Sequence, residues 1–189
     1  LERVANHLGD FGAICNDASF SLIHAHCGAL REQVLRCSNA AFGHRLMMDR
    51  VVPGGVARDL GEAGAANIRA LIAYIRQHLP ELVRIYDRTA SLQDRTVTTG
   101  ILKPDLARQY GAGGYVGRAS GRAFDTRRDV AYPPYDMLRF DVPARTAGDV
   151  DARVWIRIEE ITQSLSIIEQ CLEKLPEGAI AISVESAIA

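Results

Sequence analysis

Apolar residues recurring at three- and four-residue intervals constrain this chain more than any other feature. That spacing puts them on one side of an α-helix, as a stripe that must be buried. The longest stripe is Val154, Ile158, Ile161, Leu165, Ile168 and Leu172, with Asp149 as N-cap and Pro176 and Gly178 as stops. Val4, Leu8, Phe11 and Cys15 form another, and Phe20, Ile23, Cys27, Leu30, Val34 and Cys37 a third. The Asn16-Asp17-Ala18-Ser19 stretch between those two is a turn or a kink. A fourth stripe runs through Ile68, Leu71, Ile72, Ile75, Leu79, Leu82 and Tyr86, where Pro80 either kinks the helix or begins a second segment. Four such faces predict a mainly α fold, a helical bundle around one core.

Two stretches break the pattern. Leu46-Met47-Met48 and Val51-Val52, followed by Pro53-Gly54-Gly55, predict a short strand closed by a turn, a β excursion flanked by His44, Arg45 and Asp49. Residues 94–147 hold four of the seven prolines and many glycines. They predict turns and short strands, interrupted by a helical turn at Pro104 to Tyr110. Irregular stretches of this length usually carry function.

With 189 residues, 48% of them apolar, the chain can bury one core, and residues 1–189 are expected to form a single domain. Lys and Arg total 22 against 23 for Asp and Glu, and aromatics are 6%, so neither charge nor stacking surface favours nucleic acid as a partner. Cys15, Cys27, Cys37 and Cys171 make no C-x-x-C pair. They read as small buried apolar residues rather than metal ligands, and nothing marks an oxidising compartment, so a cytoplasmic location is expected. No apolar run approaches the roughly 20 residues of a spanning helix, so any membrane link is expected through partners. Leu1 opens directly into a helical pattern, as expected of an interior segment cut from a longer chain.

Several motifs could carry chemistry. Gly111-x-Gly113-Gly114-x-x-Gly117 has dinucleotide-loop spacing, but the polar Asp105 to Gln109 precedes it where a Rossmann turn needs an apolar strand. His24 and His26, two apart, point to different sides of a helix and read as amphipathic residues beside Cys27. His44 and Arg45 are as consistent with a strand's solvated ends as with a site. His7, Asp10, Ile14 and Asp17 share a helix side next to the apolar face. They read as a His7-Asp10 surface pair or as a proton-handling or anchoring site. Between Gly117 and Arg128, Arg118, Arg122, Arg127 and Arg128 accompany Ser120, Gly121 and Asp125. Such a loop can be solvated, or can approach an anion or negatively charged centre closely.

At these residues a family resemblance appears. Glu2-Arg3-Val4-Ala5-Asn6-His7-Leu8-Gly9-Asp10-Phe11-Gly12-Ala13-Ile14-Cys15-Asn16-Asp17, then Phe42-Gly43-His44-Arg45 and Pro53-Gly54-Gly55-Val56, resemble the large subunit of membrane-associated, energy-converting nickel-iron hydrogenases of the formate hydrogenlyase type. Gly117-Arg118-Ala119-Ser120-Gly121, Asp125, Arg127, Tyr132-Pro133-Pro134-Tyr135-Asp136 and Arg157-Ile158-Glu159-Glu160 are similar both to those subunits and to the quinone-proximal NADH dehydrogenase subunit of complex I.

The resemblance implies a parent oxidoreductase: a hydrogenase first, with the quinone-linked complex I subunit or a non-catalytic scaffold as alternatives. It implies a nickel-iron centre in the full-length parent, held by two C-x-x-C pairs absent here, so this segment itself carries no cofactor or metal and is expected to be inactive alone. It also implies an iron-sulfur cluster in a small partner subunit, and membrane subunits that hold the assembly peripherally at the inner membrane. Faces deprived of those partners would favour self-association. Asp17 would be a polar anchor behind a quinone-site histidine from another segment, and Arg45 would lie close to the partner's cluster. Pro53, Gly54 and Gly55, with Arg118, Ser120, Asp125 and Arg127, would face the cavity or the small subunit. Met47 stands where the complex I pattern Gly-Ala-Arg-Met-His places its histidine, which favours the hydrogenase branch.

Overall fold

A computed structural model describes residues 1–182. Helices α1 (Glu2–Asp17) and α2 (Ser21–Phe42) are separate, joined by a turn rather than a kink. Ser19 takes a left-handed φ of 62°, and the Ala18 and Phe20 amides donate back to Ile14 and Cys15 at 3.0 and 2.8 Å, which ties off the end of α1. Gly43 ends α2 with a left-handed φ of 77°.

The β excursion is smaller than the sequence suggests. The Leu46 and Met48 amides donate to Nδ1 of His44 at 3.1 and 3.3 Å, and Met47 and Asp49 have positive φ. Residues 44–49 are therefore a turn, and His44 and Arg45 do not flank a strand. The strands are β1 (Val51–Val52) and β2 (Gly55–Val56), paired antiparallel with Val51 opposite Val56. Residues 180–182 lie against β2: the Val56 amide reaches the Ile180 carbonyl at 2.9 Å, and the Ile182 amide the Gly54 carbonyl at 3.0 Å. A Cβ at Gly55 would sit 2.3 Å from the Ile180 oxygen, so the close approach requires glycine there.

Helix α3 (Gly61–Arg88) runs through Pro80 as one helix of 28 residues, and α4 (Ala90–Thr96) follows it. Residues 97–149 form no strand; they fold into α5 (Pro104–Gln109), α6 (Gly114–Ala119), α7 (Thr126–Asp129) and a 3₁₀ turn at Tyr135–Met137. The glycines and Pro104 punctuate helical turns here instead of strands: Pro104 starts α5 and Asp125 caps α7 by accepting from the Arg127 amide. Helix α8 (Val150–Glu173) begins as the sequence predicts, with Asp149 accepting from the Ala152 amide at 2.8 Å.

Helices α1, α2, α3 and α8 enclose the main core, where Val4, Leu8, Phe11, Ile23, Ile75 and Ile161 are buried. At the α1–α2 crossing Gly12 allows the helices to meet closely, since a Cβ there would lie 2.9 Å from Cys27 Cβ. Tyr86 is fully buried, and its hydroxyl meets Asp151 at 2.8 Å and Thr96 at 3.1 Å. Among the described residues no helix is long and apolar enough to cross a membrane.

Candidate functional site

On α1 the residues one position before the apolar stripe, Arg3, His7 and Asp10, form a second, polar stripe about 100° away around the helix. Helices α8 and α6 pack on that side, and their charges meet it.

Glu160, 2% exposed on α8, is the centre. Its Oε2 lies 2.6 Å from His7 Nε2 and 3.3 Å from Arg3, and its Oε1 accepts from Arg118 Nε and Nη2. Arg118, 4% exposed, also donates to the Phe124 carbonyl at 3.0 Å and lies 3.8 Å from Asp125. Asp125 in turn holds Arg127 through both oxygens, at 2.9 and 2.7 Å. Burial pushes the Glu160 carboxyl up, but the His7 bond and the Arg118 and Arg3 guanidiniums outweigh it and hold the group below its usual range. Burial likewise opposes ionisation of Asp125, and Arg127 overrides it, keeping that carboxyl well below the usual range.

Of the two readings of His7 and Asp10, the surface pair between them does not form. His7 turns inward to Glu160, while Asp10 meets Arg157 Nε at 3.1 Å. Arg157 is itself buried, with its guanidinium 3.6 Å from the Tyr115 ring centre. Beside this junction lies an open pocket of about 860 Å³ lined by Arg3, Asn6, His7, Asp10, His24, Arg31 and Tyr115, among others. His7 Nδ1 is buried and has no hydrogen-bond partner.

The other predicted residues lie apart. Asp17 is exposed at the end of α1. Arg45 is exposed and held by Glu32 through both carboxylate oxygens, at 3.0 and 2.6 Å. His44 is half-buried in its turn, Pro53 and Gly54 are exposed at the hairpin tip, and Gly55 packs against residues 180–181. Ser120 is buried with an unpartnered Oγ, and with Arg118 and Asp125 it faces into the chain. Sequence reasoning missed Glu160, Arg3 and Arg157 as members of the cluster. Arg157 and Glu160, three apart on α8 and flanking an apolar stripe, carry the signal that could have found them.

No group of three His, Cys, Asp or Glu side chains among the described residues is arranged to hold a metal. Cys15 and Cys27 are buried in the apolar core, which pushes their thiols up to about 12. The described residues therefore supply no ligand set for a nickel-iron centre.

A helical core with an arginine-carboxylate-histidine cluster wedged between its long helices is the class of protein that this fold and site define. By sequence, the chain belongs to the family described as the 49 Kd subunit of respiratory-chain NADH dehydrogenase, whose profile matches residues 19–189. It is 35% identical over 178 residues to an NADH-quinone oxidoreductase subunit of Roseiflexus sp., covering 94% of this chain and 48% of that one. It is 34% identical over 178 residues to an NADH-quinone oxidoreductase subunit of Phocaeicola vulgatus, covering 94% of this chain and 34% of the relative. The carbon monoxide-induced hydrogenase of Rhodospirillum rubrum is 31% identical over 178 residues, 94% of this chain and 49% of that protein. The chain thus spans between a third and a half of the length of these relatives.

Proposed function

We propose that the chain is the helical core of the large peripheral subunit of a complex I-type NADH:quinone oxidoreductase, and that its parent works in electron delivery to quinone. The observation that carries this is the family match over residues 19–189, supported by relatives named for quinone reduction that align along almost the whole chain. This reverses the order of the two branches reached from sequence motifs.

In this reading the chain's residues hold and orient rather than carry electrons. Glu160, Arg118 and His7 tie α1, α6 and α8 into one rigid wall. Asp17, exposed at the end of α1, is free to orient a histidine supplied by another segment of the subunit. Arg45, exposed and fixed by Glu32, offers a positive group to a partner that holds an iron-sulfur cluster. The partners are that small subunit and the membrane subunits, and the location is the cytoplasmic side of the membrane.

The test is to isolate the intact complex from native membranes. NADH-driven quinone reduction without stoichiometric nickel is expected. Asp17→Asn should lower quinone reduction about tenfold while leaving NADH oxidation by ferricyanide unchanged. Hydrogen evolution with one nickel per large subunit would overturn the reading. Two observations favour that second, hydrogenase reading: the likeness to the carbon monoxide-induced hydrogenase, and Met47 standing where the quinone-linked pattern places a histidine. Under it, cysteine pairs outside this segment would hold a nickel-iron centre.

A further inference from the structure

His7 is 7% exposed and makes one polar contact, the 2.6 Å approach of its Nε2 to Glu160. That contact decides where the ring's proton sits. Glu160 accepts from Arg118 on one oxygen and lies against Arg3 on the other, so it is ionised and can only accept; Nε2 must therefore carry the hydrogen. The neutral ring then presents a bare lone pair at Nδ1, the nitrogen turned away from Glu160. A carboxylate behind one nitrogen and a free lone pair at the other is the arrangement that makes a histidine a proton acceptor.

Nothing among the described residues uses that lone pair: Nδ1 is buried and has no donor. Leaving such a buried acceptor without a donor is unfavourable. His7 also lines the open pocket between α1, α2 and α6, which is large enough to hold several waters.

We propose that His7 is a proton-accepting station: Nδ1, covered in this structure, takes a solvent proton when water from the adjoining pocket reaches it, while its Nε2–H stays bonded to Glu160. One proton moves from hydronium in the pocket to the ring; the hydronium becomes water, the ring becomes imidazolium, and no other bond changes. The groups that face it come from four directions. Glu2, Arg3 and Asp10 share its helix, Glu160 and Arg157 come from α8, Tyr115 and Arg118 from α6, and His24 and Arg31 line the pocket from α2. Asp125 stands behind Arg118, neutralised by Arg127. Arg157 is paired by Asp10, so Glu160 is the anion that receives the new charge most directly. The proposal does not depend on which redox branch the parent belongs to.

The test is ¹⁵N NMR of the intact large subunit labelled at histidine, with His7→Gln identifying the signal. In alkaline solution His7 should be the Nε2–H tautomer with a bare Nδ1, and on acidification Nδ1 alone should become protonated. Glu160→Gln should scramble the tautomer and weaken proton uptake at least tenfold. An Nδ1–H tautomer, a bare Nδ1 that persists until the protein unfolds, or a Glu160→Gln variant that titrates unchanged would each overturn the proposal. Should Glu160→Gln fail to fold, the tautomer and its titration in the unaltered protein decide alone.

Discussion

Helix α1 has two kinds of neighbour. Towards α2 and α3 it presents Val4, Leu8, Phe11 and Cys15 to a dry apolar seam. Towards α6 and α8 it presents Arg3, His7 and Asp10 to buried charge. The seam is held by burial alone, which is non-directional and tolerates swaps of similar volume. The charged junction is held by geometry: Glu160, Arg118, Asp125 and Arg157 were taken out of water at a cost that their partners offset, while Arg3 and Asp10 keep part of their side chains in solvent. The seam therefore sets how strongly the bundle holds together, whereas the junction sets how α1, α6 and α8 are oriented.

Removing the central carboxylate should produce the largest effect. Glu160→Ala leaves Arg118, Arg3 and His7 facing one another without their common acceptor, and should cost about 3–5 kcal/mol in denaturant unfolding. The triple replacement His7→Leu, Arg118→Met, Glu160→Leu should recover most of that loss, because a matched cluster can be exchanged for apolar groups nearly neutrally. A triple variant as unstable as the single one would mean that the cluster itself stabilises the fold, and the contrast with the seam would fail.

Acid should separate the two regions next. Glu160 and Asp125 have folded pKa values below their ordinary ones. Between the folded and unfolded values the unfolded chain binds more protons, so their contribution is complete above about pH 4.5 and is lost as pH falls through the depressed values. Asp151 works in the opposite sense: burial pushes it up, so what it contributes is lost as pH rises through its folded value. Seam variants such as Ile75→Ala should lose about 2–5 kcal/mol at any pH. Glu160→Gln should flatten the acid limb of the stability curve that Ile75→Ala leaves unchanged.

How much of this was legible in the sequence follows the same division. The seam was, because an apolar stripe on a helix has one physical outcome: Val154 through Leu172, capped by Asp149, became α8 with the same start. The junction was legible only in halves. His7, Arg118 and Asp125 stood out, but Glu160 lies 153 residues from His7 and looks like one acid of a helical pair until α6 and α8 are brought together. Residues 94–147 misled because glycine and proline mark the ends of helical turns as readily as the ends of strands. At His44 a side chain that accepts from two backbone amides made a turn where the apolar run Leu46-Met47-Met48 suggested a strand.

A smaller effect sharpens the seam's side of the contrast. Gly12→Ala should gain up to about 1 kcal/mol of helix propensity, yet its Cβ would fall 2.9 Å from Cys27 Cβ and 3.1 Å from His24 Cα. Neither neighbour is a flexible side-chain end, so α1 and α2 must separate, and a net loss of about 1–3 kcal/mol is expected by thermal unfolding. A neutral or stabilised variant would show that the seam gives way more easily than a close-packed crossing should.

The smallest effect belongs to a second carboxylate shared between cations, this one at the surface. Glu32 accepts from Arg45 through both oxygens and from Arg36 at 2.9 Å, and these bonds, the one to Arg45 first, hold its carboxyl down to about 2. Like Glu160, Glu32 is shared by more than one cation, yet all three groups lie at the surface, where water solvates each charge as well as its partner does and salt screens the attraction. Glu32→Gln should therefore leave the unfolding midpoint unmoved in about 0.15 M salt by the same denaturant measurement that registers Glu160→Ala. A drop comparable to that of Glu160→Ala would mean that pairing geometry, not burial, governs the cost of breaking a charge cluster in this fold, and the distinction drawn between the two sides of α1 would lose its basis.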